Sequence, residues 1–511
     1  MAAEEGCGYG EGGPYAETIC WIDMSSYDEV AAISPDGQQL TLNVGGYVVS
    51  ATIRHVPGFN GTKDVTATVT PTYEGAVFGN DAYTQVPGAV ALYQLQNEVQ
   101  GDTGSIQLTD ISVVTPTGVP VTSGYSFIMA DAESTNNHEV ISFASDVPVD
   151  VLARIEPEGK LPACGGGLTG VGTTTVTCVG DPDDESAVGL SIPAGALVTV
   201  ADSPSQVAIG LNNGTSSSRQ GVAFGVMFAK SQVTKLVESR YLPTDQFVVS
   251  TRLGSTSIDT VTTQGTETTV TAGPQTLLTS TAGSSITFTE SAAPGSTTDM
   301  SHYTPAWSCE RNGASVPADQ LATSGDGASV TTSIFVGDSI ACVVTNTARF
   351  GAIAWEKVDP QGATLAGSAW ALVGPNETVA VTDNGAADMD PADGRLRVGG
   401  LLWGEYVLTE TTAPAGYTRD ETDRTVVIDE ANLDVSVGQI VNTPIVTPVD
   451  PEVPVDPEVP VDPEAPSSPP SVGQTALAAT GTDPIALAFV AIGSISVILV
   501  GAALLLRRRV Q

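Results

Sequence analysis

The sequence predicts an all-β chain: three β-sandwich domains in series, then a proline-rich stalk and one C-terminal transmembrane helix. Three observations carry this. Alternating stretches such as Val65-Thr66-Ala67-Thr68-Val69-Thr70 recur between turn residues, the pattern of half-buried strands. The chain holds 54 Gly and 33 Pro with only 5% aromatics, and no clear amphipathic helix; that composition fits sandwiches joined by turns. Its last part is a proline-rich repeat followed by a membrane-length apolar run. A length of 511 residues favours three or four domains over one.

Residues 1–240 form the first domain. The segment is too long for a small spacer and holds most of the tyrosines. It carries GGPYAETICWIDMSSYDE, PTYEGAVFGNDAYTQVPGAVALYQ, IMADAESTNNHEVISFASD, ACGGGLTGVGTTTVTCVG and QGVAFGVMF. Together these resemble the non-repetitive, lectin-like domain of CshA-type fibrillar adhesins, over roughly residues 10–230. The resemblance implies a fold similar to carbohydrate-binding sandwiches and a ligand of glycoprotein or glycan type; streptococcal relatives engage host fibronectin. Sandwich ligands bind in loops or on concave faces, through aromatics and small polar groups. Two stretches fit that chemistry: Tyr73, Phe78, Asn80, Asp81 and Tyr83, and then Asp131, Glu133, Ser134, Asn136 and Asn137. Against this stands a plainer expectation, in which Tyr73 and Phe78 are core and DAESTNNHE is a solvated turn. The acids show no EF-hand spacing, so no metal is expected.

Residues 241–348 form a second, smaller Ig-like β-domain, with SSITFTE, AWSCERNG and VGDSIACVVTNT. These motifs look like the small β-domains of actinobacterial surface proteins. No lysine lies between Lys235 and Lys357. A lysine cross-link is therefore impossible in this domain, and Cys309 with Cys342 is its expected staple. Closing a loop of about 33 residues contributes on the order of 3–4 kcal/mol.

Residues 349–446 hold the sharpest pattern: GAIAWEKVDPQGATLAGSAWALVGP, then GRLRVGGLLWGEYVLTETTAPAGY, then QIVNTPIV. This resembles the SpaA/CnaB prealbumin-like domain of surface proteins and pilins. In that family a first-strand lysine bonds covalently to a last-strand asparagine, and an acid catalyses the reaction. The resemblance implies these roles for Lys357, Asn442 and Glu410. Burial beside Trp355, Trp370 and Trp403 is expected to lower the lysine pKa and free its amine. Burial is likewise expected to raise that of Glu410, which then shuttles a proton.

The six cysteines fall into three local pairs, Cys7 with Cys20, Cys164 with Cys178, and Cys309 with Cys342. Proximity favours these pairings among the 15 possible. Disulfides fit an exported chain. A thioester at Cys20 lacks a matching glutamine motif.

Residues 447–476 repeat PVDPEV with a period of six. Proline at this density enforces extended polyproline II, and the acids repel; roughly 26 residues of it reach about 80 Å. This is the stalk that carries the folded part through the wall. Residues 477–511 then contain Leu477-Ala478-Ala479-Thr480-Gly481, an uncharged run over 485–506, and Arg507, Arg508 and Arg509. A helix of that length crosses a bilayer, and the arginines stay cytoplasmic. The three parts resemble the LPxTG-type sorting signal of Gram-positive surface proteins, in its LAxTG variant. This implies that sortase cuts after Thr480 and joins it to peptidoglycan, the membrane being a partner only before sorting. The start, MAAEEGCGYG, shows no signal peptide, which leads to the expectation that Met1 is an internal start or that the chain is trimmed.

Acidity bounds the partners. With 19 basic against 58 acidic residues the formal net charge is −39, which works against nucleic acid and anionic lipid. No cofactor is expected. The histidines His55, His138 and His302 are isolated, and no nucleophile elbow, zincin motif or phosphate loop occurs, so an enzyme is not expected. None of Lys63, Lys160, Lys230, Lys235 and Lys357 follows Tyr-Pro, as a pilin-backbone lysine does. The expected function is a wall-anchored surface adhesin. The alternative is a pilus tip or base subunit, or a self-associating wall protein.

Overall fold

A strand buried on both faces must find hydrogen-bond partners on both edges, and here a curled sheet provides them. In the computed structural model, residues 4–58, 64–94, 103–135, 139–181, 193–212, 219–279, 282–325 and 327–446 are described. The stalk at 447–476, the sorting motif Leu477–Gly481, the apolar run, and Asn136 and Asn137 lie outside them. Among the described residues no helix is long and apolar enough to cross a membrane, and the one α-helix is five residues, Glu29–Ile33.

The first domain is a single 15-stranded antiparallel sheet that curls on itself. Alternate side chains of Tyr47–Val56, Thr103–Val114 and Val207–Asn212 fill one core with Ile53, Ile106, Leu108 and Ile209. A second core forms around Trp21, with Phe78 and Tyr83. The disulfides Cys7–Cys20 and Cys164–Cys178 close its short loops.

The second domain is two facing five-stranded sheets. Its first strand is Ala229–Val237, which pairs in parallel with the last, Ser339–Ala348. The boundary expected at 241 therefore moves back to 229: this strand's ladder partners all belong to the second domain. Lys235 moves with it, and the exclusion of a lysine cross-link here does not hold. Cys309 and Cys342 stand opposite each other on neighbouring strands and are joined. Arg349 and Phe350 lead into the third domain, a three-stranded sheet over a four-stranded one. Again the first strand, Gly351–Val358, runs parallel to the last, Asp434–Val441. Tyr241 of the second domain stacks on His302, with ring centroids 3.9 Å apart, and His302 meets Trp403 of the third at 4.6 Å. The Trp403 indole donates to the Arg349 carbonyl.

Candidate functional site

Tyr73, Phe78, Asn80, Asp81 and Tyr83 lie in the turns between the strands Val65–Thr68 and Ala91–Gln94, where packing and hydrogen bonding decide what becomes of each. Phe78 and Tyr83 are fully buried, edge-on to Trp21 at 4.7 and 4.9 Å. They are core and cannot touch a ligand. Asn80 spends its amide on its own loop, donating to the carbonyls of Tyr73, Glu74 and Ala76. Asp81 pairs with Lys160 at 2.6 Å. Tyr73 behaves differently. Its hydroxyl lies 2.9 Å from Ser134 Oγ, so the structure brings the two predicted stretches together. Asp131 is the buried anchor of that turn: its carboxylate accepts the Glu133 amide at 3.0 Å and the Thr135 hydroxyl at 2.6 Å. Burial pushes Asp131 up to about 6. Burial, then the Asp131 charge, pushes Glu133 up to about 8.

In the third domain, Lys357, Glu410 and Asn442 are all buried and converge. The Lys357 ammonium donates to Asn442 Oδ1 and lies 3.5 Å from Glu410 Oε1. The Asn442 amide donates to both Glu410 oxygens, at 3.0 and 3.1 Å. The Asp420 amide fixes Glu410 Oε2 at 2.6 Å. Lys357 Nζ sits 5.4 Å from the centre of the Trp370 ring, and Trp370 packs on Trp355. Trp403 does not contribute; it stands at the joint with the second domain. Burial lowers the Lys357 pKa, opposed by Glu410 and Asp420. The parallel ladder explains the meeting. Lys357 is paired with Ile440, so Asn442, two residues on, shares its face.

The second domain places the same three residue types at the same register, although Lys235 Nζ donates to the Leu236 and Val344 carbonyls and Asn346 Oδ1 has no hydrogen-bond partner. Lys235 is paired with Val344, and Asn346 stands two residues on. Glu290 comes from the facing sheet, as Glu410 does. Lys235, Glu290 and Asn346 are at most 2% exposed. Lys235 Nζ is 3.0 Å from Glu290 Oε1, and Asn346 Nδ2 donates to the same oxygen at 2.8 Å. Burial pushes Lys235 down to about 8 and Glu290 up, so both move toward their uncharged forms. These three residues were missed in the sequence. The available signal was the shared order of a Thr-Lys or Glu-Lys near a strand end and a late Val-Thr-Asn or Ile-Val-Asn.

The comparisons with known proteins follow the same three divisions. Residues 17–227 match the family model "Surface adhesin CshA non-repetitive domain 2". Residues 230–348 and 351–442 each match a "Prealbumin-like fold domain" model. The second domain, expected as Ig-like, thus matches the same kind of model as the third. No curated protein matches. Among solved structures, the C-terminal fragment of the pilus adhesin SpaC from Lactobacillus rhamnosus GG is 13% identical, with TM-score 0.26, covering 43% of this chain and 98% of that one. The shaft pilin SpaA from the same organism is 12% identical, with TM-score 0.21, covering 44% and 99%. The Bacillus anthracis TIE protein is 12% identical, with TM-score 0.26, covering 70% of this chain; the chain spans 58% of that protein's length. At these TM-scores the likenesses carry no functional argument.

Proposed function

We propose that this chain, with a head similar to the CshA adhesin domain and two prealbumin-like domains behind it, works as a wall-anchored surface adhesin. The head binds an extracellular glycoprotein or glycan. The two following domains hold it out, each locked by an isopeptide bond. Sortase joins Thr480 to peptidoglycan, as the sorting motif, apolar run and arginines of the sequence imply.

The observation that carries the reading is the buried Lys–Glu–Asn triad repeated at one register in two successive domains. A buried ion pair is no gain in stability by itself, so two of them at one topological place favour chemistry. The neutral amine of Lys357 or Lys235 attacks the side-chain carbonyl carbon of Asn442 or Asn346. The glutamate carries a proton from the amine to the departing nitrogen. A C–N bond forms, the asparagine C–N bond breaks, and ammonia leaves. First strand is then tied to last, and tension between neighbouring domains runs through a covalent bond instead of a hydrogen-bonded ladder.

Binding of the whole extracellular chain to panels of matrix glycoproteins and glycans tests the function. Saturable binding to one class supports an adhesin. Silence across both panels from the folded chain rejects it in favour of a purely structural wall protein.

A further inference from the structure

We infer that the place where Tyr73 and Tyr93 meet the Glu133–Ser134 turn is a binding site for a neutral sugar ring, an assignment that rests on the adhesin reading of the head. Two tyrosines from separate segments converge on adjacent residues. The Tyr73 hydroxyl lies 2.9 Å from Ser134 Oγ, and the Tyr93 hydroxyl donates to Glu133 Oε1 at 3.2 Å. Asp131 holds that turn from below through Glu133 and Thr135.

Each ring lies against a glycine. A Cβ on Gly75 would fall 2.5 Å from the Tyr73 ring, and one on Gly221 would fall 3.1 Å from the Tyr93 ring. The missing side chains let the rings lie close on the backbone, as flat walls. Both tyrosines keep part of their surface in solvent, unlike the fully buried Tyr83 and Phe78. A pyranose presents C–H faces that suit such rings and hydroxyls that suit a rim of polar groups.

That rim has unused capacity. Glu133 Oε2 is buried without a hydrogen-bond partner. A buried polar atom left unpaired is costly, and a ligand hydroxyl would relieve it. Charge selects the sugar. Asp131, Glu133 and Glu139 all bear on Tyr73, and Arg219 is the cation acting on Tyr93 and Glu133. Asp131 and Glu139 outnumber the one cation, Arg219, and disfavour acidic sugars, while a Glu133 held largely protonated near neutrality both donates to and accepts from a neutral one.

Saturation-transfer NMR on the full chain tests this with glucose, galactose, mannose and N-acetylglucosamine, and with sialic and glucuronic acids as controls. At least one neutral sugar should bind saturably and the acids should not. Tyr93→Ala should weaken that binding by at least about tenfold, and Glu133→Gln, which preserves shape, should weaken it measurably. Circular dichroism confirms the fold of both. Absence of transfer from every neutral sugar, preference for an acid, or binding undiminished in both variants would overturn the assignment. A matrix glycoprotein bound equally before and after enzymatic deglycosylation would leave the adhesin reading standing while removing the sugar site. Loss of that binding on deglycosylation, with competition by the free sugar, supports the site and separates a glycoprotein source from wall polysaccharide.

Discussion

Replacing Glu410 by glutamine should leave the third domain folded but unlinked, and its melting temperature should fall steeply. The two residues proposed to be joined, Lys357 and Asn442, are 85 residues apart. In the chain-entropy description, a covalent link closing a loop of that length removes about 15 cal/mol/K from the unfolded ensemble, or about 4.6 kcal/mol at room temperature. For a domain of this size each kcal/mol corresponds to about 4–8 °C, so the expected drop is roughly 20–35 °C. Glutamine keeps the shape of the acid and can still accept from the Asn442 amide, but it cannot carry the proton. Calorimetry of the full chain resolves the transition, and mass spectrometry of the same sample records whether ammonia is retained. A variant that retains the ammonia yet melts within a few degrees of the parent would refute the entropic argument. One that still loses the ammonia would refute the role of Glu410.

Further outcomes follow from the same geometry. Glu290→Gln should block the link in the second domain alone, restoring about 17 Da, the mass of one ammonia, with Glu410 chemistry untouched. Cys309→Ser with Cys342→Ser opens a loop of 33 residues and should cost about 3–4 kcal/mol by the same entropy, read as a lower midpoint in denaturant. The head should lose stability as pH rises from about 4.5 to about 8: the folded Glu133 keeps its proton up to about 8 while the unfolded chain releases it near 4.5, so unfolding sheds a proton throughout that window. Glu133→Gln should flatten this slope in thermal melts at pH 5 and pH 8.

Much of the fold was legible because strand alternation and proline repeats are local signals. The Lys357–Glu410–Asn442 triad was legible for a similar reason, since each member sits in a recognisable box of sequence. The second triad was not. Its domain's first strand, Ala229–Val237, continues without a break in composition from the buried strand Gly221–Met227 that ends the head, so the boundary fell twelve residues late and Lys235 was assigned to the wrong side. Its parallel pairing with Ser339–Ala348 is a contact across more than a hundred residues, which no local pattern reports. In the head, alternation alone could not tell Tyr73 from Tyr83. Both lie in the same Gly/Pro-rich stretch, and only the packing of Tyr83 on Trp21 and the reach of Tyr73 to Ser134 separate core from surface. Tyr93 escaped notice because its partner, Glu133, is 40 residues away.

The most direct measurement is the intact mass of the full chain, denatured and reduced, at isotopic resolution. Two completed links predict a mass about 34 Da below the sequence value, one ammonia for each triad, with Lys235 joined to Asn346 and Lys357 joined to Asn442 in the digested peptides. A mass equal to the sequence value, with all four residues recovered in linear peptides, would contradict the account of two covalently locked domains.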